Sequence, residues 1–450
     1  MTSSLSARVA AIVRAFAIGS LDIPSLVERA TAATGESART VRPLADKVAR
    51  RFDGKTRPRA RDTVAVLTDD WMWLRHQLTI TDAARRRLTR TTLTGDTVMV
   101  PVAAASGWSV PPITTTAALA EWLGLTDAEL AWFSDCAALG HEEWTAARHH
   151  YHYVLRAKRH GGIRVLEAPQ ARLKALQRRI LTEIMNRIPP WYTAAHGFVK
   201  GRSVRSFAGE HVGRAVVLRM DLADFFPTVS GARVQALFRT LGYPEAVADA
   251  LGGLCTNTTP VAMFAPKRWP LLPAADLRAA RQLYKRPHLP QGAPTSPALA
   301  NLCAWRLDCR LTGLADWAGA VYSRYADDLA FSGDADVATR IDEYAAQIAA
   351  IASDEGWRVQ HHKTRIMRQS VQQRLTGLVV NARVNCPRRE VDALKATLTN
   401  CARHGAVSEN REGVPDFRAH LLGRIGWVRS VNLTKAKRLQ DIFDQVDWST

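Results

Sequence analysis

The tetrapeptide Tyr325-Ala326-Asp327-Asp328 limits what this chain can fold into more than any other feature. It sits between two apolar half-strands, Val321-Tyr322-Ser323-Arg324 and Leu329-Ala330-Phe331-Ser332, and so reads as the tip of a β-hairpin. Adjacent aspartates on a tight turn repel each other, and a pair of divalent cations is the usual compensation. The plain alternative is an ordinary Asp-Asp turn; a third carboxylate weighs against it. The apolar, β-branched run Ala215-Val216-Val217-Leu218-Arg219-Met220 reads as a buried strand, and it ends in Asp221-Leu222-Ala223-Asp224-Phe225-Phe226-Pro227. A strand that delivers Asp221 beside a hairpin carrying Asp327 and Asp328 can build a two-metal site. Such a site clamps the attacking and leaving oxygens of an in-line phosphoryl displacement. Hard oxygen ligands suit Mg²⁺. Asp224, beyond the strand, reads as a turn residue.

Between these elements lies Leu289-Pro290-Gln291-Gly292-Ala293-Pro294-Thr295-Ser296-Pro297. Its prolines and glycine set up a rigid turn, with Ser296 as helix N-cap and Pro297 at the first helical position. The helix that follows is expected to bury Leu299, Leu302 and Cys303. Gln291 and the exposed amides of the turn would face whatever binds the metals.

These blocks, with others in the same order, give the chain its family likeness. It resembles the reverse transcriptases, and within them the bacterial retron enzymes. The further blocks are Arg164-Val165-Leu166-Glu167-Ala168-Pro169, His196-Gly197-Phe198-Val199-Lys200-Gly201-Arg202-Ser203, His362-Lys363-Thr364, Leu375-Thr376-Gly377-Leu378-Val379-Val380-Asn381 and Leu422-Gly423-Arg424-Ile425. Leu375 stands where retron enzymes often carry Val. The similarity runs from about residue 141 to 450. It implies an α+β, right-hand polymerase with fingers, a palm built on an antiparallel sheet, and a helical thumb. Residues 141–370 would be fingers and palm, with the fingers near 145–210 and 260–290. Residues 371–450 would be a basic, RNA-binding thumb. Residues 1–140 would be a mostly helical N-terminal extension of unknown role.

The resemblance also implies roles. Asp221, Asp327 and Asp328 would be the catalytic and metal residues, with two Mg²⁺ ions and with Asp328 set further out than the other two. Arg164 and Lys158 would hold the triphosphate, where a guanidinium fork suits phosphate oxygens. Phe226 would gate the sugar, its ring clashing with a 2′-hydroxyl, while Phe225 is read as core. Gln291 would touch the incoming nucleotide or its template partner. Lys363 would approach the polyphosphate. RNA contacts are expected at Arg202, Arg424, Lys435, Lys437 and Arg438.

Composition agrees with a polyanionic partner. The formal charge is +19, and the last 90 residues carry 16 Lys/Arg against 8 Asp/Glu. That C-terminal stretch shows two helical patterns, Phe417/Leu421/Ile425/Val428 and Leu439/Ile442/Phe443/Val446. Further basic stripes lie at Arg50 to Arg61 and at Arg85-Arg86-Arg87 with Arg90. Val261 to His288 has no clear period and reads as an insertion. His149-His150-Tyr151-His152-Tyr153 alternates like a strand and lacks the flanking ligands of a zinc site. No apolar run approaches the roughly 18 residues of a membrane span, and Arg8 and Arg14 interrupt the N-terminus, which reads as an amphipathic helix packing on the protein rather than a secretory signal. Six scattered cysteines without C-x-x-C spacing fit a reducing cytoplasm.

The expected function is RNA-directed DNA synthesis on a cognate structured non-coding RNA, giving branched msDNA. The partners would be that RNA, its DNA product, dNTPs and an effector protein of an antiphage retron, with no membrane. An intron-encoded maturase or another defence polymerase is the alternative within the family. An inactive RNA-binding scaffold is the alternative outside it, and the intact aspartate set argues against that.

Overall fold

A computed structural model describes residues 12, 15–16, 21–52, 98–134, 150–159, 161–189 and 193–448. The chain divides into two compact units, Met1–Ile188 with Ser230–Pro294, and Pro189–Val229 with Thr295–Thr450. Arg85-Arg86-Arg87, Arg90, Cys136, His149 and the part of the Arg50–Arg61 stretch beyond Phe52 lie outside the described residues.

In the first unit, local signals start and stop the helices. Asp22 accepts a bond from Ser25 N at 2.9 Å to cap helix Ile23–Thr34, which ends at a left-handed Gly35. Ser37 caps helix Ala38–Arg51. The two helices bury Leu26, Ala30, Val41, Leu44 and Val48 in a core that also takes Ile12, Ala15 and Phe16. Thr126 caps helix Asp127–Ser134 as expected, within a reciprocal box: its hydroxyl accepts from Glu129 N, and the Glu129 carboxylate accepts from Thr126 N. Strand β1 (Tyr151–Ala157) pairs antiparallel with β2 (Ile163–Pro169). The alternation at Tyr151-His152-Tyr153 is thus that of a strand, and His150 packs against Trp132 and Phe133.

A buried ionic cluster fastens β2 to the second part of this unit. The Glu167 carboxylate accepts from Asn257 Nδ2 (2.8 Å) and Thr259 Oγ1 (2.7 Å) and meets His288 Nε2 at 2.8 Å. Burial alone would lower the His288 pKa; the adjacent Glu167 carboxylate holds it above its ordinary value. Residues 261–288 differ from the expectation of an aperiodic insertion. They contain helix Ala274–Tyr284, which buries Leu277, Ala280 and Tyr284 in one cluster with Leu155, Ile163 and Val165. The period was there, but alanine and arginine between the apolar positions made it weak.

In the second unit, β3 (Val216–Asp221) is the apolar run expected as a strand. It lies inside a four-stranded antiparallel sheet in the order β4-β5-β3-β6, where β4 is Val321–Tyr325, β5 Asp328–Gly333 and β6 Arg365–Arg368. Pairing on both edges, with side chains buried on both faces, is why its sequence is nearly continuous in Val, Leu and Met. Helix Ser296–Cys303 forms with Pro at its start, but its N-cap is Thr295, and Ser296 is already helical and buried. Leu299 is buried as expected; Leu302 and Cys303 are half-buried.

The C-terminal part folds as three helices rather than two. Phe417–Val431 and Leu433–Phe443 match the expected patterns. The third, Arg388–His404, buries Val391, Leu394, Leu398 and Cys401 in the same core. Its Thr397-Leu398-Thr399-Asn400 stretch is poor in helix formers, which hid it. Thr376 and Gly377 both adopt positive φ between β7 (Arg374–Leu375) and β8 (Leu378–Val379), the backbone that a two-residue hairpin turn requires.

Candidate active site

The sheet register brings the aspartates to one end of the second unit. Asp221, last in β3, stands directly opposite Asp328, first in β5. Leu222 N donates to the Asp327 carbonyl at 2.8 Å, fixing the turn beside the strand end. Like charges directly opposed across strands are destabilising, and two cations answer them. Arg219 donates from Nε (2.9 Å) and Nη2 (2.6 Å) to Asp328 Oδ1. Lys363 Nζ lies 2.8 Å from Asp221 Oδ1. Burial, then the charges of Asp221 and Asp328, push Asp327 up to about 6. Burial also raises Asp328, partly offset by Arg219.

The turn itself is held from behind. Ala326 has φ 57°, an uncommon conformation for a residue with a Cβ. The buried Arg324 stabilises it by donating from Nη1 to the Ala326 carbonyl (3.1 Å) and to Asn301 Oδ1 (2.9 Å). Its Nε and Nη2 donate to Asp308 (2.8 and 2.6 Å), which also accepts from Tyr322 Oη at 2.8 Å. Burial would lower the Arg324 pKa; Asp308 instead holds it above the ordinary value. The block His196–Ser203 supports the same turn. His196 N donates to the Arg324 carbonyl and Arg324 N to the Ala194 carbonyl, each at 2.7 Å. Gly197 is required there, because a Cβ would lie 2.5 Å from Ala326 N. The His211 ring spans the hairpin, 2.7 Å from both Ser323 Oγ and Ser332 Oγ. Burial lowers its pKa to about 3, so it acts as a neutral spacer.

On the other side of Asp221 runs the segment that carries Lys363. Ala223 N donates to the Arg358 carbonyl and Gln360 N to the Asp221 carbonyl, each at 2.7 Å. Phe225 is buried and stacked on Trp357 at 4.9 Å, so it is core. Phe226 is half-buried, 6.0 Å from the Phe198 ring. Asp224 has φ 52° and starts the short helix Phe225–Thr228 without a side-chain cap, as a turn residue does.

Residues 156–380 match the family model "Reverse transcriptase (RNA-dependent DNA polymerase)". The chain belongs to the reverse transcriptase family. Among curated relatives, the retron Mx65 reverse transcriptase of Myxococcus xanthus is 44% identical over 294 residues, 64% of this chain and 63% of the relative. The retron Mx162 reverse transcriptase of the same organism is 36% identical over 319 residues, 67% of this chain and 62% of the relative. The retron Ec86 reverse transcriptase of Escherichia coli is 29% identical over 280 residues, covering 62% and 74%. These relatives bear out the retron-type likeness, and the chain spans less than two thirds of the length of the two from Myxococcus xanthus.

Set against this reverse transcriptase frame, the structure gathers Asp221, Asp327, Asp328, Lys363 and Phe226 in one unit. Lys158, Arg164 and Gln291 belong to the other. Lys158 sits at the β1–β2 turn, and Arg164 is exposed on β2 opposite Arg156. The Gln291 carbonyl accepts from Glu167 N at 3.0 Å. Arg202 donates to the Thr193 and Ala195 carbonyls, the latter at 2.8 Å. Arg424 lines an open groove of about 560 Å³ with Trp427, His420 and Glu390. Lys437 and Arg438 are exposed, and Lys435 is half-buried, on helix Leu433–Phe443.

A reverse transcriptase domain implies dependence on a divalent metal. Asp221 and Asp327 fit one chemically, being hard oxygen donors in a place with excess negative charge. Among the described residues, however, no three acidic, His or Cys side chains converge on one point. Asp328 is turned to Arg219 and Asp221 to Lys363. Sequence reading missed Arg219, Arg324 and Asp308. A charged residue inside an apolar strand was the available signal for the two arginines.

The raised pKa of Asp327 has a testable sign. In the unfolded chain this carboxyl titrates near 4, so without metal its ionised form destabilises the fold above about pH 6. That cost disappears as pH falls toward 4. Asp327→Asn should therefore raise the melting temperature in chelator at pH 8, by on the order of 1–2 kcal/mol in stability, and the gap should close near pH 4. Thermal melts across pH check this; a variant less stable than wild type at pH 8 contradicts it.

Proposed function

We propose that this chain is an RNA-directed DNA polymerase that copies a cognate structured non-coding RNA into a branched RNA–DNA hybrid. The observation that carries the reading is the cross-strand pair Asp221 and Asp328 with Asp327 on the turn between β4 and β5. A fold meets that repulsion for a reason, and nucleotidyl transfer is one. Asp221 and Asp327 would hold two Mg²⁺ ions. When bound, these would lower the pKa of the primer hydroxyl and neutralise the leaving pyrophosphate. Arg324 and Gly197 keep the turn in place for this, and Trp357 and Phe225 keep the start of the next helix in place. Lys363, now on Asp221, would by resemblance exchange that carboxylate for a polyphosphate oxygen. Lys158, Arg164 and Gln291 are assigned to the nucleotide by resemblance.

The remaining assignments rest on charge and likeness. We take residues 141–370 as fingers and palm and 371–450 as the thumb, with 1–140 as an extension. Phosphate grip falls to Arg424, Lys435, Lys437 and Arg438, with Arg202 acting as a brace for the 193–195 backbone. Phosphate contacts give no sequence information, so choice of RNA would come from its shape or from unpaired bases stacking on side chains. The retron names of the relatives support a retron enzyme; msDNA as product, antiphage defence as role and an effector protein as partner are proposed from the family resemblance. No helix among the described residues is long and apolar enough to cross a membrane. Cys309, Cys386 and Cys401 are free thiols, and a cytoplasmic setting is proposed from the family resemblance.

Primer extension on an RNA template with dNTPs and Mg²⁺ tests the reading. The wild-type chain should extend, and Asp327→Ala with Asp328→Ala should abolish synthesis while retaining RNA in a filter-binding assay. Synthesis at the wild-type rate in the double variant would refute the site. Phe226→Val should let ribonucleotides into the product, because a smaller side chain leaves room for a 2′-hydroxyl. An unchanged ratio of ribonucleotide to deoxynucleotide incorporation would place the gate elsewhere.

A further inference from the structure

We propose that Arg219 is a built-in counter-cation that withholds Asp328 from the divalent ions, leaving Asp221 and Asp327 as the side chains that bind them. The inference rests on the two-metal reading of this site, in which the family resemblance already sets Asp328 further out, and goes beyond it by naming the residue that holds Asp328 there.

Residues two apart on a strand share a face, so Arg219 and Asp221 project from the same side of β3. Asp328 stands opposite Asp221, which makes it the diagonal neighbour of Arg219. The guanidinium uses two N–H groups on one oxygen, at 2.9 and 2.6 Å, and the Asp328 side chain is 16% exposed. Charge-assisted bonds of this length are among the strong ones. The backbone that carries Arg219 is paired on both edges, with Ala330 of β5 and Arg365 of β6. Arg365 itself is turned away, donating to the His362 and Thr364 carbonyls.

Lys363 makes a different kind of contact. It meets Asp221 through one ammonium on a flexible stem, from the short 3₁₀ turn His361–Lys363, and its side chain is 39% exposed. An incoming cation can displace such a contact at little cost. Displacing Arg219 would strand a half-buried guanidinium beside the metals. The two cations therefore divide the carboxylates into one that is released and one that is held, in keeping with the absence of a three-carboxylate cluster among the described residues.

The test is Mn²⁺ binding to the full chain without nucleotide or RNA, read by electron paramagnetic resonance of free Mn²⁺, with a thermal melt of each variant as a check on folding. Asp221→Asn and Asp327→Asn should each weaken Mn²⁺ binding about tenfold or more, a tenfold change corresponding to about 1.4 kcal/mol. Asp328→Asn should weaken it much less while Arg219 is present. In an Arg219→Met background Mn²⁺ should bind more tightly, and Asp328→Asn should then cost about as much as Asp327→Asn. That dependence on background is the signature of two coupled groups. A purely long-range charge effect would give the same factor in both backgrounds, and that result overturns the proposal. So does an Asp328→Asn loss equal to that of Asp327→Asn in the native Arg219 background, a comparison that needs no substitution at Arg219. If neither Asp221→Asn nor Asp327→Asn alters binding, the two-metal reading itself fails.

Discussion

Asp221 and Asp328 face each other across β3 and β5, with Asp327 on the adjoining turn, and the surrounding structure answers their repulsion. Two opposed carboxylates in a half-buried place are unfavourable unless countered. The strands that carry them are largely buried and apolar, and their antiparallel register sets the pair. Arg219 and Lys363 supply opposite charge from two directions. Burial first, and then the charges of Asp221 and Asp328, push Asp327 up to about 6, with Lys363 offsetting part of the rise. An arrangement of this kind has use for cations.

A second layer of charge lies beneath the first. Arg324, Asp308, Asn301 and Tyr322 form a buried network whose outermost contact is the Ala326 carbonyl. Removing one partner of a buried ion pair leaves an uncompensated charge, so the network is costly to disturb. Its effect is to hold one left-handed residue immediately before Asp327. The His196–Ser203 segment adds backbone bonds and the close approach of Gly197 to the same turn. The geometry of the aspartate turn thus depends on residues set behind it.

The chemistry-bearing elements were legible in the sequence where the signal was local. The hairpin tip, the strand ending in Asp221, the Thr126 cap and the last two helices all follow from patterns within about ten residues. What escaped depended on partners distant in the chain. Arg219 reads as a blemish in an apolar strand until Asp328 is placed across from it. Arg324 reads as a polar strand residue until Asp308 is found beneath it. Helices Ala274–Tyr284 and Arg388–His404 were missed for another reason: small, basic or β-branched residues diluted an apolar period that tertiary packing completes. The one-residue shift from Ser296 to Thr295 at the helix start is the ordinary imprecision of caps.

The central claim is that these aspartates serve DNA synthesis on one dedicated RNA. Sequencing the nucleic acid that copurifies with the full chain from its native host tests it most directly. The account predicts a single structured RNA joined through a 2′-hydroxyl to a DNA copy of part of itself, with the DNA missing when Asp327 and Asp328 are replaced. A heterogeneous RNA pool with no attached DNA, alike for wild type and variant, would contradict it.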